Sequence, residues 1–120
     1  MIKDRKAVIF GVSSYRLKSN EKIFLKRTKP WGIILFSRNI KSLEQLKILV
    51  KDIKNVFKDD NFPILIDAEG GQVSRLNKII DLTLFSQNYF GEMYEKNKTL
   101  FFNHYKIFID SYIFSKTAIN

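Results

Sequence analysis

Residues 31–40 read WGIILFSRNI, and the run from Gly32 to Phe36 decides the fold class. Its apolar residues follow one another without alternation. A strand with one wet face alternates apolar and polar residues, whereas a strand covered on both faces does not. Trp31 to Ser37 (WGIILFS) reads as strand two, with Arg38 following it. A strand of this kind belongs to a parallel sheet layered with helices.

Working outward, Ser42 and Gln45 form an S-x-x-Q capping box for the clearest helix in the chain. Leu43, Leu46, Leu49, Val50, Ile53, Val56 and Phe57 recur at helical spacing, while Lys47, Lys51, Asp52, Lys54 and Lys58 occupy much of the other side. Upstream, KAVIFGV (Lys6 to Val12) reads as the first strand. Ser19 can cap a helix from about Asn20 to Thr28, with Glu21 placed against its positive end and Pro30 stopping it. Downstream, FPILID (Phe62 to Asp67) reads as the third strand, with Pro63 at its tolerant first positions. A polar, glycine-containing loop follows. A helix, in one piece or two, is expected over about Glu92 to Lys116, with Phe101, Tyr105, Phe108 and Tyr112 on one face and Phe102, Ile109 and Ile113 on a second.

The order β-α-β-α-β-α predicts an α/β protein with parallel strands and right-handed crossovers. Periodicity leaves two architectures open: a small doubly wound sheet, or the opening of a (β/α)8 barrel. With no internal repeat and no low-complexity linker, residues 1–120 are treated as one domain.

The bulk numbers set further bounds. The 120 residues are 45% hydrophobic and 14% aromatic, a globular composition. Cysteine is absent, so disulfides and thiolate metal sites are excluded. The apolar run in MIKDRKAVIFGV is too short for a signal-peptide core. Leu100 to Ile119 is interrupted by Asn103, His104, Lys106, Asp110 and Lys116, so it is not read as a membrane span. The expectation is a soluble cytoplasmic protein with no membrane partner. The formal net charge is +9, and nine of the 21 basic residues lie in the first 30 positions. Charge of this kind suits nucleic acid, but no aromatic RNA-binding motif, zinc finger or helix-turn-helix accompanies it, so nucleic acid is not the expected partner.

LIDAEGG (Leu65 to Gly71) carries the chemistry. Sites in parallel α/β folds lie at the carboxyl ends of the strands, where Asp67 follows strand three and Arg38 follows strand two. If the strand runs on through Glu69, the carboxylates of Asp67 and Glu69 point to one face. Two such groups can serve acid–base work, a hard cation or sugar hydroxyls, and one of them can simply pair with a nearby arginine. Gly70 and Gly71 permit positive φ and close backbone approach. The loop lacks the spacing of a dinucleotide or phosphate-binding site. No cofactor and no metal are expected. His104, amid aromatics in an expected helix, is read as a packing residue.

KPWGIILFSRNI, SLEQLKILVKDIK and PILIDAEGGQVSRL together resemble the N-terminal part of glycoside hydrolase family 3, and within it the bacterial β-N-acetylhexosaminidases of peptidoglycan recycling. The family pattern is G-x-I-L-F-x-R-N, a helix containing E-Q, and D-x-E-G-G-x-V-x-R; all three occur here in that order. The resemblance implies a (β/α)8 barrel of which these residues form the first three βα units. It implies that Asp67 accepts hydrogen bonds from hydroxyls of a terminal N-acetylglucosamine and that Arg75 also contacts the sugar. Glu69 is then assigned to bracing, paired with Arg38, and Gly70 and Gly71 to the tight turn beside the ligand. Ala68 replaces the commonest family residue, a glutamine, and Gln72 a frequent arginine.

Retaining hydrolysis needs a nucleophilic carboxylate and a proton donor. In the family these sit in later strand-end loops, as does a lysine–histidine pair that binds sugar, and a complete barrel needs about 250 residues. None of those groups is matched in this sequence. The chain is therefore expected to be inactive alone, to be completed by another chain, or to act as a non-catalytic sugar- or nucleic-acid-binding protein. An incomplete barrel also leaves apolar faces open, so marginal stability and self-association are expected.

Overall fold

The computed structural model describes residues 4–71, 73–81 and 83–119, with the backbone alone at residues 68–70 and 110–119. Two compact units divide the chain, Met1–Asp67 and Ala68–Asn120.

The first unit is built from β1 (Lys6–Gly11), α1 (Ser19–Thr28), β2 (Pro30–Leu35), a 3-10 turn (Ser37–Asn39), α2 (Leu43–Phe57) and β3 (Ile64–Ile66). The strands form one parallel sheet in the order β1-β2-β3. The parallel α/β sheet is the one expected from the run at Gly32–Phe36, but the helices of this unit cover one face of it and not both. Phe10 packs edge-on against Phe24 of α1, so Phe10 and its register partner Ile33 face the helices. Leu35 lies on that side by alternation. Ile33, Leu35, Leu25, Leu46, Leu49 and Ile53 are buried together with Ile40 and form the core of this unit. The opposite face, free of the helices of this unit, carries Ile9, Gly11, Gly32, Ile34 and Leu65, and Ile9 is 43% exposed. A Cβ on Gly32 would stand 3.0 Å from the Pro63 carbonyl oxygen and 3.1 Å from the Leu65 side chain, so β2 and β3 approach closely there only because residue 32 is glycine.

The helix ends follow local chemistry, with two departures from expectation. Ser19 is the first helical residue of α1 and not its cap. The cap is Lys18, whose backbone N–H donates to the Glu21 carboxylate (2.9 Å), and the Ser13 N–H donates to the same carboxylate (2.8 Å). Ser42 does cap α2, accepting from the Gln45 N–H at 3.3 Å. The Gln45 side chain passes the N-cap, however, and accepts from the Lys41 N–H at 2.7 Å. Helices α1 and α2 end on Lys29 and Lys58 with φ of 48° and 51°, a left-handed C-cap made without glycine. At the amino ends of the strands, Arg5 pairs with Asp59 and lies over the ring of Phe62, which stacks on Phe57.

The second unit opens with β4 (Ala68–Gly70) and β5 (Val73–Ser74), an antiparallel pair. The sequence reading had a loop here. The strands are too short, and too poor in β-branched residues, to give a pattern. Then come α3 (Gln87–Lys96) and α4 (Lys98–Ile119). The division falls at Asn97. Its backbone N–H closes α3 on the Met93 carbonyl (2.8 Å), and its side-chain oxygen accepts from the Leu100 N–H at the start of α4 (3.0 Å). Phe90 of α3 is buried against Tyr105 and Phe108 of α4, with ring centroids 5.5 and 5.3 Å away. Phe101 joins the same cluster, while Phe102, on the second expected face, is 61% exposed. The side chains of Tyr112 and Ile113, assigned to those two faces, lie outside the described residues.

Candidate functional site

The carboxyl ends of β1 and β2 are held together by side-chain amides. Asn39, fully buried, donates to the carbonyls of Val12 (2.9 Å) and Ser14 (3.0 Å), and its own side-chain oxygen accepts from the Phe36 N–H (2.9 Å). Its amide thus joins the loop after β1 to the turn after β2 with every strong donor and acceptor used. Gln45 extends the clamp, donating to the carbonyls of Tyr15 (2.7 Å) and Asn39 (3.1 Å). Neither role is assigned from sequence. The signal was present: Asn39 closes the G-x-I-L-F-x-R-N pattern, and Gln45 stands in the E-Q helix start.

Arg38 sits on this platform. Its Nε donates to the Val12 carbonyl (3.2 Å), and its guanidinium carbon lies 4.6 Å from the centre of the Phe36 ring. A Cβ on Gly11 would meet its terminal nitrogen at 3.1 Å. Gly11 belongs to the face opposite α1 and α2, so the guanidinium lies over the top of that face. Asp67 follows β3 directly and is half-buried. Alternation carries it to the side of Leu65, again the face opposite α1 and α2. Arg38 and Asp67 therefore stand at the same end and on the same side of the sheet, after the neighbouring strands β2 and β3. A carboxylate acceptor and an exposed guanidinium donor at one strand edge suit a neutral polyhydroxylated ligand better than a second anion or a bare cation.

The Glu69 side chain lies outside the described residues, and so does its expected pairing with Arg38; the contacts described for Arg38 are those with Val12 and Phe36. Gln72 is likewise outside them. In the second unit, Gly71 has φ of +58°, the left-handed conformation its place in the turn was expected to need. Gly70 ends β4 and pairs with Val73 across the hairpin. Arg75 follows β5 and is half-buried. Among the described residues, no group of three or more histidine, cysteine, aspartate or glutamate side chains could hold a metal ion.

No family model matches the chain. Individual relatives do. A β-hexosaminidase of Psychromonas ingrahamii is 42% identical over 90 residues, which is 75% of this chain and 25% of that protein. A β-hexosaminidase of Neisseria gonorrhoeae is 36% identical over 94 residues, 78% of this chain and 25% of that protein. The backbone matches NagZ from Neisseria gonorrhoeae, solved in complex with N-trifluoroacetyl-D-glucosamine, with a TM-score of 0.67 and 34% identity over 78% of this chain and 27% of that one. A glycoside hydrolase family 3 β-N-acetylglucosaminidase from a Paenibacillus species matches with a TM-score of 0.50 and 25% identity, over 57% of this chain and 14% of that one. The chain thus spans about a quarter of the length of the curated relatives it matches. In sequence and in backbone the chain is similar to part of the β-hexosaminidases and to part of a glycoside hydrolase family 3 enzyme.

Proposed function

We propose that the chain binds a terminal N-acetylglucosamine residue at the carboxyl edge of its parallel sheet, and that these 120 residues do not hydrolyse the glycoside by themselves. Asp67 accepts from the sugar hydroxyls, and Arg75 supplies a forked donor to the same sugar. Arg38, Glu69, Gly70 and Gly71 brace and turn the chain around them. The three βα units are those that open a (β/α)8 barrel, and the setting is the cytoplasmic recycling of peptidoglycan sugars.

The observation that carries the reading is the position of Asp67. It is the first residue past the end of β3, on the side opposite α1 and α2, at the strand edge where parallel α/β proteins place their ligands. The relative solved with N-trifluoroacetyl-D-glucosamine supports the choice of sugar. The reading withholds catalysis because retaining hydrolysis needs a nucleophile and a separate proton donor, and Asp67 is already assigned to the hydroxyls.

The test is titration of the full chain with N-acetylglucosamine, followed by amide NMR shifts. Saturable shifts at Asp67 and Arg75, lost in both Asp67→Asn and Arg75→Ala, are expected. Glucose, which lacks the acetamido group, should bind more weakly. Release of chromophore from a nitrophenyl N-acetylglucosaminide by the chain alone would overturn the non-catalytic part. Unchanged affinity in both variants would overturn the assignment of the sugar contacts.

A further inference from the structure

The α1–α2 layer has an outer surface that neither the core nor the strand edge explains. Helices α1 and α2 hold six basic residues (Lys22, Lys26, Arg27, Lys47, Lys51 and Lys54) and three acidic ones (Glu21, Glu44 and Asp52). Leu25 of α1 and Leu46 of α2 are buried and mark the inward side of each helix. Ile23 stands two residues before Leu25, and Ile48 two after Leu46. Two residues turn a helix through roughly 200°, so both isoleucines point straight outward. They are 68% and 57% exposed.

Basic residues flank them. Lys26 and Arg27 lie one turn beyond Ile23, and Lys51 one turn beyond Ile48; all three are exposed. The acid beside them, Asp52, faces the ammonium of Lys22 at 4.0 Å, which spans the two helices and places their outer stripes side by side. Glu44 stands at the start of α2, against the positive helix end.

We infer that this face docks on an anionic lipid surface. The lysines and Arg27 meet the head groups, and Ile23 and Ile48 enter the boundary between them. The charge complementarity is with a surface of fixed negative charge, and the apolar tips distinguish a lipid surface from nucleic acid. Single-stranded nucleic acid is held by aromatic side chains on which bases stack, and duplexes by phosphate contacts that give two outward isoleucines no role. A basic helical face with apolar residues between the charges is the pattern of peripheral membrane contact. No helix among the described residues is long and apolar enough to cross a membrane, but a peripheral contact needs no span.

The test is flotation of the full chain with vesicles. Binding to equimolar phosphatidylglycerol and phosphatidylcholine, falling as salt is raised, and no binding to phosphatidylcholine alone are expected. Each lysine at such a surface is worth about a fivefold change in affinity, so Lys26→Gln with Lys51→Gln should weaken binding about 25-fold. Ile23→Ser with Ile48→Ser should weaken it about tenfold at every salt concentration. All four positions are exposed, and far-UV circular dichroism verifies that the variants fold. Equal binding to neutral vesicles, no binding to anionic ones, or displacement by single-stranded RNA that is indifferent to the isoleucine changes would each overturn the inference.

Discussion

The side-chain amide of Asn39 donates to the Val12 carbonyl across 2.9 Å, a contact between residues 27 apart in sequence that fixes how β1 and β2 end together. Both groups lie beyond the strands, where the ladder no longer supplies partners. Replacing Asn39 with alanine would strand the Phe36 N–H and remove donors from Val12 and Ser14. Unsatisfied buried groups carry most of the cost, so Asn39→Ala should destabilise the chain by about 2–3 kcal/mol. Urea unfolding monitored by circular dichroism measures it. A loss below about 0.5 kcal/mol would mean that water takes over the contacts.

Glu21 ties acid stability to the start of α1. Partial burial pushes its carboxyl up, but the amide hydrogen bonds from Lys18 and Ser13 outweigh that and hold it below its ordinary 4.5. A carboxyl lowered by folding stabilises the fold above its unfolded value and ceases to do so as pH falls through the folded one. The contribution is therefore complete above about pH 5 and lost progressively below pH 4.5. Glu21→Gln should lower stability at pH 7 by about 0.5–1 kcal/mol, the usual value of a charged hydrogen bond discounted for solvent. It should also flatten the pH dependence of the unfolding midpoint as pH falls below 4.5. An unchanged acid limb would remove Glu21 from this role.

Phe90 organises the second unit. It is 8% exposed, and the rings of Tyr89, Tyr105 and Phe108 meet it edge-on at 5.3, 5.5 and 5.3 Å. Phe90→Ala removes the shared partner of these rings and should cost about 3–5 kcal/mol. Near-UV circular dichroism reads the effect directly, because the aromatic signal should collapse while far-UV helix content falls less. Phe90→Leu keeps most of the volume and should recover more than half the loss. If both variants unfold alike, ring geometry rather than volume holds α3 on α4.

The three strands of the parallel sheet and helix α2 were legible because their patterns are local. Leu46, Leu49, Val50 and Ile53 recur at helical spacing, and each is buried as that spacing requires. The place of Asp67 was legible as well, since it directly follows the apolar run Ile64–Ile66. What was not legible depends on partners distant in sequence or on backbone angles. The amide of Gln45 looks like half of a capping box until the Tyr15 carbonyl, 30 residues away, comes within 2.7 Å. Lys29 and Lys58 carry no mark of a left-handed cap, because that conformation favours glycine and both are lysine. The same reasoning predicts a gain: Lys58→Gly relieves the strain at the end of α2 and should raise stability by about 0.5–1 kcal/mol.

Two glycines of the second unit should answer the same substitution with opposite signs. Gly71 has φ of +58°, and a Cβ there would stand 2.9 Å from the Cβ of Ser86. Ser86 is the N-cap of α3, accepting from the Tyr89 N–H at 3.0 Å. Gly71→Ala thus incurs the left-handed penalty of an L-residue and pushes on a cap, and each of these effects is worth about 1 kcal/mol. Gly91 lies inside α3 with nothing within 4 Å of its missing Cβ. Gly91→Ala adds helix propensity without a clash and should stabilise by about 0.5–1 kcal/mol. Thermal unfolding of the two variants side by side measures the contrast. A loss in both would show that the second unit tolerates no added volume around α3, and a gain in both would show that the turn at Gly71 can be reached with a negative φ.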